Sequence, residues 1–368
     1  MRRGTPSLAC EEAGGDLRVA HGGLGAAELR SLGLLAEEVL DFSASINPLG
    51  TSELVRTAIS NVDVSAYPDP ECLLLKEALA ARLNVETDRV MIGNGCTELI
   101  HLLAQAWLRP GDRCLIFSPT FGEYEVAAVR AGAKVQVVRA AERDGFRWSV
   151  EAAGQLIRRT RPKLAFFCNP NNPTGSYFPP DEVSRLQSAM AGEGLLILDN
   201  SYGALADTIW DFVPLLGAGN IAILRSMTKD HALAGLRLGY LLSDPSVVRM
   251  TRQFQPAWSV NSLAQRAGLA ALDDNRHLIE ARQTIAEAKE YLYKELGRLG
   301  APFISSAANF MLVRVGDAKG VRSALMTRGI AVRDCTSFGM PQWIRISVRR
   351  PEECRRLVRA LGQVLADE

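Results

Sequence analysis

The 368-residue sequence predicts an α/β fold: a large domain on a mostly parallel sheet with helices on both faces, and a smaller α+β domain after it. Three observations carry that prediction. Short, continuously apolar runs recur along the first two thirds of the chain, which marks strands covered on both faces. The segments between the runs place apolar residues on one helical face and end at proline or glycine. After about residue 260 the pattern changes to one long striped helix and short strands. An N-terminal arm of residues 1–44, a large domain of 45–262 and a small domain of 263–368 are therefore expected.

In order, the runs are "RVMIG" (89–93), "RCLIFS" (113–118), "KLAFFCN" (163–169), "GLLILDN" (194–200) and "NIAILRS" (220–226). In "TELIHLLAQAWLRPGD" (97–112), Leu99, Ile100, Leu103 and Trp107 share a helical face, and Pro110-Gly111 stops the helix. Ile285, Ala288, Leu292, Leu296 and Leu299 stripe the long late helix. It is followed by "NFMLVRV" (309–315), "GIAVRD" (329–334), "WIRISV" (343–348) and a final helix from Glu352 onward.

Composition narrows the function. The 42 basic and 41 acidic residues nearly cancel and form no long run of one sign, so neither nucleic acid nor a membrane surface is an expected partner. The seven cysteines, at 10, 72, 96, 114, 168, 335 and 354, form no C-x-x-C pair and no metal-spaced cluster. They are expected to be reduced thiols of a cytoplasmic protein, with no bound metal. Met1-Arg2-Arg3 is followed by no sustained apolar region, so no signal peptide is expected, and no run reaches the ~18 apolar residues that cross a bilayer.

Four motifs carry chemistry. In "IGNGCTELI" (92–100) a strand ends in Gly93-Asn94-Gly95 and a helix begins at about Thr97, where free N–H groups attract an anion. Glu98 replaces the third glycine of a dinucleotide fingerprint, so an ordinary glycine turn is the alternative. "CNPNNPTG" (168–175) can continue neither strand nor helix, and it holds asparagine amides on a stiff loop, or forms a plain surface turn. "LLILDNSYG" (195–203) ends an apolar strand in Asp199, a carboxylate that needs a cationic partner unless it caps the next helix. "SMTKDHALAGLRLGY" (226–240) sets Lys229 among small and apolar residues. A free lysine has a pKa of about 10.4, and desolvation or nearby cations release its proton, so Lys229 is a candidate Schiff-base nucleophile or else a solvated surface charge.

In this order, N-P-N-N-P-T-G, a strand-end aspartate, S-x-x-K and G-x-R-x-G-Y make nearly the whole chain resemble the fold-type I pyridoxal-phosphate enzymes of the aminotransferase class I/II superfamily. The resemblance implies pyridoxal 5'-phosphate as cofactor, held as an imine by Lys229, which also moves protons at the substrate α-carbon. Asp199 would face the pyridinium nitrogen, Asn172 and Tyr202 the phenolic oxygen, and Phe121 would stack on the ring. Gly95, Cys96, Thr97, Ser226 and Arg237 would hold the phosphate. Tyr67, in "AYPDP", would reach the phosphate of the other subunit, which implies a homodimer. Arg345 would clamp a substrate carboxylate, with Asn47 also on the substrate side. The chain departs from the family's D-E-A-[YF] pattern by reading Asp199-Asn200-Ser201-Tyr202.

Within the superfamily, "HGG" (21–23), "DFSASINPLG" (41–50), "AYPDPECLLLKEALA" (66–80), "RDCTSFG" (333–339) and "RISVRRPEE" (345–353) look most like threonine-phosphate decarboxylases of cobalamin biosynthesis. Histidinol-phosphate aminotransferases are similar in several of these features. The resemblance places His21 and Arg333 at the distal end of a small, phosphorylated amino-acid substrate, with the ordinary arm or strand residue as the alternative. It implies decarboxylation of O-phosphothreonine first, transamination second and a specialised lyase or cyclase third. A non-catalytic cofactor-binding module is the reading of another class, and the presence of Lys229 weighs against it.

Overall fold

The computed structural model describes residues 19–190, 192 and 194–367; Cys10 and the first part of the expected arm lie outside the described residues. The described strands are β1 (Leu40–Asp41), β2 (Val90–Gly93), β3 (Arg113–Ser118), β4 (Lys134–Arg139), β5 (Leu164–Cys168), β6 (Leu195–Asp199), β7 (Ile221–Ser226), β8 (Gly239–Ser243), β9 (Phe303–Ile304), β10 (Phe310–Arg314), β11 (Ile330–Ala331), β12 (Arg333–Asp334) and β13 (Trp343–Ser347). Seven form the main sheet in the order β2-β8-β7-β6-β5-β3-β4. Neighbours pair in parallel except around β8, which runs against both β2 and β7.

The continuous apolar runs arise because both faces of this sheet are covered. In β6, Leu196 and Leu198 enter one core and Leu195 and Ile197 the opposite one, so the period-2 alternation separates two apolar layers rather than core from water. β4, absent from the runs read in the sequence, is the partly exposed edge strand "KVQVVR". β8 was also missed, because its residues directly continue the lysine motif. The helix expected over 97–112 runs Gly95–Trp107; Leu99, Ile100 and Leu103 are buried and Trp107 only partly so.

The second core lies between the long helix Asn275–Arg298, the final helix Pro351–Ala366 and the antiparallel sheet β12-β13-β10-β9. Ile285, Ala288, Leu292 and Leu296 line it as expected, whereas Leu299 lies past the helix end and is exposed. Two elements at the expected domain limits pack across them. Helix Ser262–Asp273 belongs with the main sheet, since Ala264, Ala267 and Ala271 pack in the same core as Leu75 and Leu79. The arm joins the small domain: β1 pairs in parallel with β11, and Phe42 sits in the second core. The described residues include no helix long and apolar enough to cross a membrane, and no His, Cys, Asp and Glu cluster fit for a metal.

Candidate active site

The carboxyl ends of β5, β6 and β7 and the N-terminus of helix Gly95–Trp107 converge on one cavity of about 90 Å³. Open α/β sheets place ligands at such strand ends. Cys96, Thr97, Phe121, Asn172, Asp199, Tyr202, Ser226, Lys229 and Arg237, all singled out in the sequence, line it together.

Lys229 sits in the single helical turn Met227–Asp230 that follows β7. Burial, then the positive charges of Arg345 and Arg237, lower its pKa to about 8, so a minor fraction of the amine is neutral near physiological pH, far more than for a free lysine. Its Nζ lies 5.9 Å from the centre of the Tyr202 ring. The turn is pinned by Asn47, whose N–H donates to the Lys229 carbonyl and whose side-chain amide donates to the Asp230 carbonyl, both at 2.9 Å. Asn47 Oδ1 accepts from the Leu49 N–H at 2.9 Å. Asn47, expected on the substrate side, does not line the cavity, and its polar groups are engaged by the backbone of the lysine turn and of Leu49.

Asp199 is buried at the end of β6. Burial raises the pKa of its carboxyl, and donors from Ser201 and Tyr124 act against that rise. Oδ1 accepts from the Ser201 N–H at 3.0 Å and Oδ2 from the Tyr124 hydroxyl at 2.7 Å. Sequence reading stopped at Phe121 and missed Tyr124, although an aromatic three residues further along one helix start was its signal. Tyr124 stacks on Phe166 at 4.9 Å and 9°, and burial, with Asp199 nearby, holds its phenol neutral.

The asparagines of "CNPNNPTG" divide the work. Asn169 ties the loop to Phe178 through two backbone hydrogen bonds, and Asn171 bonds the Pro119 carbonyl and the Thr120 hydroxyl. Asn172 faces the cavity, its Oδ1 accepting from Arg345 Nη1. Its NH₂ is therefore the group left to donate to a ligand oxygen. Arg345 also donates to the Ser43 carbonyl at 2.6 Å, while its buried Nε has no partner among the described residues. An orphaned guanidinium N–H beside the cavity fits an anionic substrate group.

Gly95 has φ +76°, and a Cβ there would lie 2.7 Å from Arg237 Nη2, so the guanidinium rests directly on the glycine turn. A Cβ on Gly239 would meet the Cys96 amide nitrogen at 2.9 Å. Helix amides, Ser226 and Arg237 thus form a cradle suited to a phosphate. Glu98, which spoiled the dinucleotide fingerprint, has a structural use: Oε2 accepts from the Asn94 N–H at 2.7 Å. Burial pushes the Cys96 thiol up to about 12, which leaves it unreactive.

The arm brings His21 and Arg333 near this end, without either lining the cavity. Arg333 pairs in register with Arg345 across β12 and β13. Its guanidinium donates to the carbonyls of Ala20 and Asp334 and to the Ser337 hydroxyl, at 2.8, 2.7 and 2.6 Å. His21 contacts Glu123 at 3.1 Å and tilts against Phe121 at 5.8 Å; Glu123, absent from the sequence reading, also bonds His101 at 2.9 Å. Both expected distal residues are engaged by protein, which favours the arm-and-strand alternative. Tyr67 is 81% exposed, stacks on Trp258 at 4.8 Å, and does not line its own chain's cavity.

A buried lysine of lowered pKa, a buried carboxylate and an anion cradle together fit a flat pyridine aldehyde carrying a phosphate. A family model described as aminotransferase class I and II matches residues 37–361. A histidinol-phosphate aminotransferase of Symbiobacterium thermophilum is 36% identical over 342 residues, 92% of this chain and 93% of that protein. The crystal structure of a histidinol-phosphate aminotransferase from Sinorhizobium meliloti, in complex with pyridoxal-5'-phosphate, superposes with a TM-score of 0.85 at 26% identity, covering 94% of this chain and 95% of that one. An L-threonine-O-3-phosphate decarboxylase from Porphyromonas gingivalis superposes with a TM-score of 0.78 over 88% of this chain and 99% of that one, but at 24% identity it speaks for the fold alone.

Proposed function

The chain belongs to the class I and II aminotransferase family and uses pyridoxal phosphate, and from that premise we propose that it transfers the amino group of a phosphorylated amino compound of the histidinol-phosphate type. The observation that carries the choice of an anionic substrate is Arg345, buried between Asn172 and the Ser43 carbonyl with its Nε unpartnered among the described residues. Transamination stands ahead of O-phosphothreonine decarboxylation because the relative at 36% identity carries the aminotransferase name. That reverses the order expected from the sequence.

When bound, the cofactor supplies an electron sink and carries the amino group between two substrates. The protein's own groups do the rest. Gly95, Cys96 and Thr97 amides, Ser226 and Arg237 hold the phosphate end. Asp199, kept as an acceptor by Tyr124 and the Ser201 N–H, would hold the ring nitrogen and favour its protonated form. Asn172 and Tyr202 would hold the phenolic oxygen, and Phe121 would pack against the ring. Lys229, with a pKa near 8, would accept a proton from the substrate α-carbon. Arg345 fixes the substrate so that this proton lies within reach.

The same reading makes the active unit a homodimer in which Tyr67 reaches the partner's cofactor phosphate. The exposure of Tyr67 supports it, as do the exposed neighbours Val64, Leu74 and Trp258.

The test incubates the holoenzyme with histidinol phosphate plus 2-oxoglutarate, and separately with O-phosphothreonine alone. Glutamate formation in the first mixture is expected. Carbon dioxide from the second, with no glutamate in the first, would replace transamination by decarboxylation, and silence in both would sink the two readings together.

A further inference from the structure

The departure at Asn200 leads to the lysine turn. Where the family pattern has an acidic residue after the ring-facing aspartate, this chain has a neutral amide. Asn200 is buried; its Oδ1 accepts from Arg225 Nη1, and its Nδ2 donates to the Asn169 carbonyl at 2.6 Å. Arg225 directly precedes Ser226 on β7, lies over the Phe212 ring at 4.8 Å, and is only 13% exposed in its side chain. A guanidinium so placed needs a counter-charge, and an amide does not provide one. The carboxylate within reach belongs to Asp230, whose Oδ2 stands 4.0 Å from Arg225 Nη2.

We infer that Asp230 has taken over the counter-charge that position 200 lacks, and that through Arg225 it is a positioning residue holding the Lys229 turn against the phosphate-binding end of β7. Three features support this. Asp230 is buried and directly follows Lys229. Its Oδ1 and the Nε of Arg225 are buried and have no partners among the described residues, so both keep hydrogen-bonding capacity on the sides of the pair. The residues after Asp199 and after Lys229 thus address the same guanidinium, which links the strand ends of β6 and β7. Burial raises the Asp230 carboxyl to about 7 even against the opposing charges of Arg225 and Lys229, so the counter-charge is strengthened as pH rises through neutrality.

The inference rests on Lys229 as the cofactor lysine, and a charge-relocation cycle on the full-chain holoenzyme tests it. The variants are Asp230→Asn, Asn200→Asp and the two combined, and the readouts are the rate of cofactor loss on dilution, kcat and KM. Asp230→Asn is expected to lose cofactor about tenfold faster and to lower kcat more than it raises KM. Asn200→Asp alone brings no gain, since it adds a second anion and forfeits the bond to the Asn169 carbonyl. In the Asp230→Asn background the same change restores cofactor retention to within about threefold of the parent, because it supplies the only anion at Arg225. A role of Asp230 in packing alone would show no such rescue. Cofactor retention unchanged in Asp230→Asn, or Asn200→Asp equally harmful in both backgrounds, overturns the pairing. If Asp230→Asn is insoluble, the double variant must be soluble for the inference to stand. A parent chain that never takes up pyridoxal phosphate would instead overturn the reading of Lys229.

Discussion

The Tyr124 hydroxyl donates a 2.7 Å hydrogen bond to Oδ2 of Asp199, and both side chains are buried. The bond favours the ionised carboxylate against a burial effect that raises its pKa. Tyr124→Phe removes the donor without changing the ring's stacking on Phe166. A hydrogen bond to a charged group contributes roughly 1.5–3 kcal/mol, so kcat is expected to fall about tenfold or more. Removing the donor raises the Asp199 pKa further, so the acid limb of the kcat–pH profile should move to higher pH. An unmoved limb would remove Tyr124 from this role.

Lys229 should capture aldehydes with a pH dependence unlike that of free lysine. Uptake of pyridoxal phosphate by the cofactor-free protein is expected to rise through about pH 8 and then level off. Arg345 is the largest charge that lowers this pKa, so Arg345→Gln should shift the midpoint upward. The linked stability has a definite sign. Between about pH 8 and the ordinary lysine value the unfolded chain holds a proton that the folded chain does not, so the parent gains stability relative to Lys229→Met as pH rises through that window. Stopped-flow absorbance follows the uptake, and denaturant titrations of the two proteins follow the stability difference.

Arg345→Lys is expected to raise KM for both amino donor and keto acid by about tenfold or more. Arg345 holds Asn172 and the Ser43 carbonyl with two nitrogens, and its Nε has no partner among the described residues, a fork that a single ammonium cannot reproduce. Steady-state kinetics on both half-reactions decide it; equal KM values in both proteins would place the substrate anion elsewhere.

Asn47→Ala leaves the buried Asp230 carbonyl without its side-chain donor, at a cost of about 1–3 kcal/mol. The lysine turn should loosen, with kcat lowered, KM little changed and a lower thermal midpoint. A selective rise in KM would return Asn47 to the substrate side.

Much of the fold was legible because burial leaves a local trace. β3, β5, β6 and β7 appear as unbroken apolar runs since each is covered on both faces. The edge strand β4 faces water along part of its length and left no such run. The limits of the domains were not legible, because helix Ser262–Asp273 has an apolar face that either core could accept; packing against Leu75 and Leu79 decided it.

For the site, the sequence by itself determined the chemical types: Lys229, Asp199, Asn172 and Arg237 stand in short motifs whose spacing is set by single turns at strand ends. Tertiary structure alone decided which groups answer one another. Tyr124 meets Asp199 across 75 positions, Arg345 meets Asn172 across 173, and Asn47 reaches Asp230 across 183. It also set Asn47 against the backbone of the lysine turn and Asp230 beside Arg225. The reason is physical: turn geometry and apolar periodicity act over a few residues, whereas the partner of a buried polar group is fixed only when folding excludes water and leaves that group one neighbour able to satisfy it.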